Sequence, residues 1–333
     1  MHAWVYHSLP LALWRTIVAA NSVLGDLPEE VFEMRRIMVA FLFAVSTSTL
    51  LWAQEIKPNW PIPSELKWEE INGYPMAYRD AGEGTPILLV HGSTSDYRIW
   101  NAQLTASSAS YRVLAVSLRH FYPERWDGTG TDFSIEQHAQ DIATLITKLN
   151  LGKVHLVGHS RGGAVAVEVA KSRPEVIRTL VLPDGSIEMP VSETAEAKEA
   201  GDFTKKLIGT LQENLKTGDP AKAAEVFVDM LSGPGTWLRF PEPTKEMFLA
   251  NIYSALGDKD RPITTCADVK KFDFPVLLMT ADKSPKKFEF MYSEMRKCRE
   301  FPATVVIPNA AHGMQRQNPD VFNRVMLDFL SKH

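Results

Sequence analysis

Val154-His155-Leu156-Val157-Gly158-His159-Ser160-Arg161-Gly162-Gly163 is the stretch that decides how the chain folds. Its first four residues form a short apolar run that fits a strand buried on both faces. The segment Gly162–Ser172 is rich in Ala and Val and fits a helix. Between them lies Gly158-His159-Ser160-Arg161-Gly162, a G-x-S-x-G string on a strand-to-helix turn. So sharp a turn puts Ser160 in strained backbone geometry and demands Gly nearby, because side chains there would clash. The hydroxyl is lifted above the sheet at a helix N-terminus, whose dipole favours developing negative charge. The plain alternative is a glycine-rich turn with an idle serine, and the flanking strand and helix weigh against it.

Outward from this turn the same rhythm repeats. Lys67–Ile71 and Tyr74–Arg79 flank Asn72-Gly73, a hairpin turn. Pro86-Ile87-Leu88-Leu89-Val90, Tyr111–Val116, Val176–Leu182, Pro275–Met279 and Ala303–Ile307 fit further strands. Helical spacing marks Ile135–Leu149, and helices are expected over Phe288–Cys298 and Val321–Leu330. Strands alternating with helices imply an α/β fold, a mostly parallel sheet flanked by helices. Residues 186–271 break the rhythm. They carry helical patterns over Phe203–Leu215, Ala221–Leu231 and Lys245–Leu256 and no convincing strand. This is a helical cap inserted between two sheet strands, leaving 54–185 and 272–333 as the core.

An unaided serine is a weak nucleophile and needs a base. Of nine histidines, His312 alone follows the last strand and precedes the last helix, where that base belongs. With these residues placed, the chain resembles the α/β-hydrolase superfamily over about Glu69–Lys332. The resemblance rests on His91-Gly92, Gly158-His159-Ser160-Arg161-Gly162-Gly163 and Ala311-His312-Gly313. It implies Ser160 as nucleophile, His312 as general base, and the backbone N–H groups of Ser93 and Arg161 as an oxyanion hole.

The acid of such a triad has two candidate places. The usual family position, aligned on Thr280-Ala281-Asp282-Lys283-Ser284, holds Ser284, with Asp282 two residues earlier. A minority of members carry the acid after the preceding strand, and there this chain has Leu182-Pro183-Asp184-Gly185. Asp184 is favoured and Asp282 is the alternative; either could orient His312. The family's Asp-x-Arg-Gly-x-Gly segment is replaced here by Ser117-Leu118-Arg119-His120-Phe121-Tyr122-Pro123. His91, Trp100, Phe121, Tyr122 and Trp237 are expected near an apolar substrate, with core packing as the alternative for each.

Serine at the turn suggests attack on a carbonyl and an acyl-enzyme resolved by water. A small apolar ester or lactone fits most easily, as for a carboxylic ester hydrolase. Carbon–carbon bond hydrolysis on the same triad, or a non-catalytic small-molecule binding protein, are the other readings. No metal or organic cofactor is required, and no Cys/His spacing suggests zinc. The 333 residues carry a formal net charge of −4 and no long basic run, which gives no sign of nucleic acid as a partner.

The N-terminal part has its own logic. Met34-Arg35-Arg36, an apolar stretch from Ile37 and a small residue at Ala53 make a signal-peptide layout over 34–53. Residues 1–33 are then an upstream extension of unknown role, and Gln54 begins a mature chain without a stable membrane span. Export to the periplasm or medium follows if that signal is used, and a cytoplasmic protein if it is not. Cys266 and Cys298 either pair or remain two buried thiols.

Overall fold

The computed structural model describes residues 62–191, 193–257 and 261–333. The expected extension (1–33) and signal segment (34–53) lie outside the described residues. The apolar runs of the sequence become β3 (Pro86–Val90), β4 (Arg112–Val116), β5 (Val154–Gly158), β6 (Ile177–Pro183), β7 (Val276–Ala281) and β8 (Val305–Ile307). In front of them β1 (Lys67–Ile71) and β2 (Tyr74–Ala81) form a hairpin. Its turn residues Asn72 and Gly73 both have positive φ, 51° and 75°, which matches the twist of the two strands.

The eight strands lie in the order β1-β2-β4-β3-β5-β6-β7-β8. β1 and β2 pair antiparallel, β2 meets β4 antiparallel, and all later neighbours are parallel. This strand order and direction are those of the α/β-hydrolase fold that the resemblance implies. Alternate residues of the central strands feed two separate cores. Leu88, Val90, Leu114 and Leu156 face one; Ile87, Leu89, Val113 and Val157 face the other. α2 (Ile135–Lys148) and α3 (Arg161–Ser172) cover the first face. α2 starts where the Ser134 hydroxyl accepts the Gln137 N–H, satisfying one of the donors a helix start leaves over. α1 (Asn101–Ser107) and the last helix, α10 (Pro319–Leu330), cover the second face. α1 was not evident from the sequence, because its seven residues carry only three buried positions.

Between β6 and β7 the chain leaves the sheet. It forms α4 (Ala195–Lys216), α5 (Pro220–Ser232), α6 (Glu242–Ala250) and the one-turn α7 (Cys266–Val269). α4 buries Leu207, Leu211 and Leu215 along one stripe. Its first two turns are polar, so apolar spacing alone starts the helix too late, at Phe203. The stretch expected as one helix, Lys245–Leu256, is instead α6 and a separate 3-10 turn, Ile252–Leu256. Asn251 divides them. Its side-chain amide donates to Asp96 Oδ2 at 2.7 Å and its carbonyl accepts the Tyr122 N–H at 2.7 Å. That tie draws the chain onto the core and ends the helix. The two ends of the excursion are clamped together where Glu188 bridges Ile263 and its carbonyl accepts the Thr264 N–H at 2.7 Å.

Cys266 in α7 and Cys298 at the end of α8 (Lys287–Cys298) form a disulfide with Cα atoms 4.9 Å apart. It ties the return from the excursion to a helix of the core. With the two positions 32 apart in sequence, the chain-entropy account assigns it about 3.5 kcal/mol. We expect the Cys266→Ser/Cys298→Ser protein to lose about 3 kcal/mol in urea unfolding; an unchanged midpoint would mean that the unfolded chain gains no freedom from its removal.

Candidate active site

Ser160 stands between β5 and α3 with φ 53° and ψ −122°. A non-glycine residue adopts that left-handed region only when its surroundings impose it. Here three strand ends do so. The Ser160 N–H donates to Pro183 O at 3.2 Å, its carbonyl accepts the Ser186 N–H at 2.8 Å, and the His159 N–H donates to Val90 O at 3.0 Å. The flanking glycines follow from the same crowding. A Cβ on Gly158 would lie 2.3 Å from Gly162 O, and one on Gly162 would lie 2.4 Å from the carbonyl oxygens of Val90 and His91.

His312 lies between β8 and the short α9 (Met314–Gln317). Its Nδ1 is 3.0 Å from Asp184 Oδ2. Asp184 follows β6 directly, is fully buried, and has a φ of 43°. Two hydroxyls brace its carboxylate: Thr280 Oγ1 donates to Oδ1 at 2.8 Å and Ser284 Oγ to Oδ2 at 2.6 Å. The turn itself is held by Tyr292, whose hydroxyl donates to Leu182 O at 2.5 Å and accepts the Gly185 N–H at 2.6 Å. Ser284 occupies the usual family position for an acid, and here its hydroxyl meets the Asp184 carboxylate instead. Thr280 and Tyr292 carried no signal in the sequence, since a hydroxyl at a strand end or within a helix is ordinary.

Asp282 is exposed and accepts the N–H groups of Asn309 at 2.9 Å and Ala310 at 3.0 Å. Those two donors hold its carboxyl below the usual range. It fixes the loop that leads to His312 and does not meet the imidazole. His159 Nε2 donates to His312 O at 2.8 Å, so the base is also held by its backbone.

Ser93, Ser160 and His312 line one small cavity of ≈ 30 Å³ whose apolar wall comes largely from the excursion, with Phe227, Leu231 and Phe248 prominent. The aromatic residues expected there are not in its lining, and each has a partner elsewhere. His91 Nδ1 donates to Gly92 O at 2.8 Å and its Nε2 accepts the Leu118 N–H at 3.0 Å, bracing two loops from below. Phe121 meets the His91 ring edge-on at 4.5 Å. Trp100 is fully buried, between His159 and Phe322. Tyr122 stacks on Tyr97 beneath the Arg98 guanidinium, and Trp237 packs behind Phe240 and Phe248. Position in the chain brought these residues near the site, but their side chains are spent on packing, and Phe227, Leu231 and Phe248 take the wall instead.

Arg161 is the first residue of α3, so its amide belongs to the turn whose N–H groups point out of the helix. Its side chain turns inward, with Nη1 2.8 Å from His138 Nδ1 and the guanidinium 4.5 Å above the Phe133 ring. Sequence reasoning missed Arg316 in α9, which also lines the cavity. It had drawn no notice because an arginine in a short helix is usually at the surface.

Burial sets the protonation states. It pushes His312 down to about 3, with the nearby Lys287 charge acting in the same direction. It likewise holds His159 near 3 and His91 near 4. A neutral His312 can accept a proton. Burial raises the Asp184 carboxyl to about 7, against the Ser284 and Thr280 hydroxyls that favour its ionised form. Among the described residues no group of His, Cys, Asp and Glu is arranged to hold a metal ion, and no helix is long and apolar enough to cross a membrane.

This fold and this serine turn define a class, and comparison with known proteins agrees. The profile of the alpha/beta hydrolase family matches residues 87–325; the chain belongs to that family. An uncharacterized protein of Mycobacterium tuberculosis is 32% identical over 120 residues, 36% of this chain and 35% of that protein. The match thus spans about a third of the length of such relatives (35%). An (E)-2-((N-methylformamido)methylene)succinate hydrolase of Acinetobacter baylyi is 24% identical over 263 residues, 76% of this chain and 93% of that one. A thermophilic esterase from Thermogutta terrifontis shares the fold with a TM-score of 0.65 and 24% identity, covering 81% of this chain and 99% of its own.

The buried imidazoles carry a consequence for stability. His91, His155, His159, His312 and His138 all sit below their ordinary value, chiefly through burial. Between about pH 6.5 and pH 4 the unfolded chain therefore binds more protons than the folded one, and stability falls as pH falls. Asp184, Glu168 and His120 are shifted upward and oppose this, but they are fewer. We expect a Tm several degrees lower at pH 5.0 than at pH 7.5 in calorimetry. An equal or higher Tm at pH 5.0 would show that these histidines are charged in the folded protein.

Proposed function

We propose that this protein is a serine hydrolase that cleaves a carboxylic ester or lactone through an acyl-enzyme. The observation that carries the reading is the buried His312–Asp184 pair, 3.0 Å apart, with His312 lining the cavity that Ser160 also lines. Asp184 accepts the Nδ1–H of His312, which fixes the tautomer and leaves Nε2 as the base. His312 takes the Ser160 proton as the hydroxyl oxygen attacks the substrate carbonyl. The developing oxyanion is met by the N–H groups of Ser93 and Arg161, each contributing about 3–4 kcal/mol to such a state. His312 then gives its proton to the leaving alcohol. Water, deprotonated by His312, releases the acid and restores Ser160. The apolar wall of Phe227, Leu231 and Phe248 supports an acyl chain as the group it holds.

Export is part of the proposal. A structural disulfide persists in oxidising compartments, and Cys266–Cys298 supports use of the 34–53 segment as a signal. Mass spectrometry of the chain from periplasm or medium is expected to find an N-terminus near Gln54, whereas an uncleaved cytoplasmic chain would overturn this.

Ser160→Ala is expected to reduce ester turnover by on the order of 10⁵-fold or more with the fold intact. Asp184→Asn is expected to lower kcat by on the order of 10³–10⁴-fold, and Asp282→Asn by less than about tenfold, since Asp282 acts only through the loop. Full turnover by a folded Ser160→Ala protein would sink the nucleophile assignment. The reverse ranking of the two aspartates would move the acid to Asp282.

A further inference from the structure

The active-site cavity contains a cation that the proposed chemistry does not use. Arg316 lines it together with Ser160, His312 and Gly313. Its guanidinium lies 4.4 Å over the Phe240 ring and 5.9 Å from that of Phe248. Nη1 donates to Thr244 Oγ1 at 3.2 Å, and Nε is buried without a partner. A Cβ built on Gly313 would stand 3.9 Å from Nη2, so the guanidinium reaches to the residue next to the base.

No carboxylate among the described residues forms an ion pair with this guanidinium. Two other arginines drawn into the interior are each paired with a carboxylate. Arg119 holds Asp141 through two hydrogen bonds of 2.9 and 3.0 Å, and Arg98 holds Asp96 at 2.8 and 2.6 Å. Buried charges are ordinarily paired, because removing an isolated ion from water is far more costly than burying a neutral polar group. Two aromatic faces offset a part of that cost. Burial alone pulls the guanidinium down to about 10, with no neighbouring acid to hold it up; it is still charged at neutral pH.

We infer that Arg316 anchors an anionic group of the substrate, so that the ester or lactone cleaved at Ser160 also carries a carboxylate. The inference rests on the hydrolase reading above and narrows it. The planar fork of an arginine suits a carboxylate. Phe227, Leu231 and Phe248 line the same cavity, and Thr244 and the two rings hold the fork in place. A neutral ester of the same length fills the same apolar space but leaves the cation unmatched.

The test separates this inference from the hydrolase reading. Monomethyl esters of succinic to suberic acid are compared with the corresponding dimethyl esters. Binding is measured by calorimetry on Ser160→Ala, and turnover by pH-stat on the unaltered protein. At the best chain length the monoanion is expected to bind at least tenfold tighter than the diester and to show at least a tenfold higher kcat/KM. Arg316→Gln, placed in both backgrounds, is expected to bring each ratio below threefold. A ratio near one in Ser160→Ala overturns the anchor without any appeal to the Arg316 variant. So does a preference that persists in a folded Arg316→Gln protein. Anion-selective binding with no turnover of any ester would sustain the anchor and remove the hydrolase reading. Turnover of both esters without preference would do the opposite.

Discussion

The rest of this structure depends on the close approach of three backbones around Ser160. β3, β5 and β6 end side by side, and α3 begins so near them that the carbonyls of Val90 and His91 leave no room for a Cβ at Gly162. A Cβ on Gly163 would likewise lie 2.5 Å from Gly185 Cα. That contact sets Gly185, and with it Asp184, against the helix that follows the serine. The positive φ of Ser160 and that of Asp184 are therefore results of one packing arrangement. The strain is held by the hydrogen bonds of the neighbouring strand ends, which the sheet would make in any case.

The second constraint is electrostatic. A fully buried carboxylate, a buried imidazole and a neighbouring histidine share the same small space. The structure avoids crowding it with charge. The histidines stay neutral, and the Asp184 oxygens are met by two hydroxyls and an imidazole N–H, which are donors without full charge. The Lys287 charge acts on both Asp184 and His312, and burial lowers Lys287 itself to about 8.

How far the sequence could be read follows from which interactions are local. The strand–turn–helix at Ser160 is a local pattern, and its glycines are demanded by contacts within a few residues or with adjacent strands. The candidates His312 and Asp184 were named from their places after the last strand and after the sixth, and the structure sets them 3.0 Å apart. What was not legible depends on side-chain direction across the fold. Tyr122 and Trp237 lie near the site in the chain, yet pack against Tyr97 and Phe248. Asn251 looked like the middle of a helix, and a partner 155 residues away, Asp96, ends it. The first turns of α4 have no apolar stripe, so periodicity could not reveal them.

The excursion between β6 and β7 is tied to the core at a point that matters for the chemistry. Ser254 Oγ accepts the Thr94 N–H at 3.0 Å, next to Ser93, and Asn251 holds Asp96 at 2.7 Å in the same loop. Thr94 itself has a φ of 56°. The loop that carries Ser93 is thus shaped from above by the helices that build the apolar wall, and from below by His91. The Ser93 loop and the 3-10 turn Ile252–Leu256 are joined directly through Thr94 and Ser254. Arg316 completes the same arrangement from the other side, bonded to Thr244 of α6 while its helix follows His312. The cavity wall and the Ser93 and His312 loops are thus joined by one set of polar contacts.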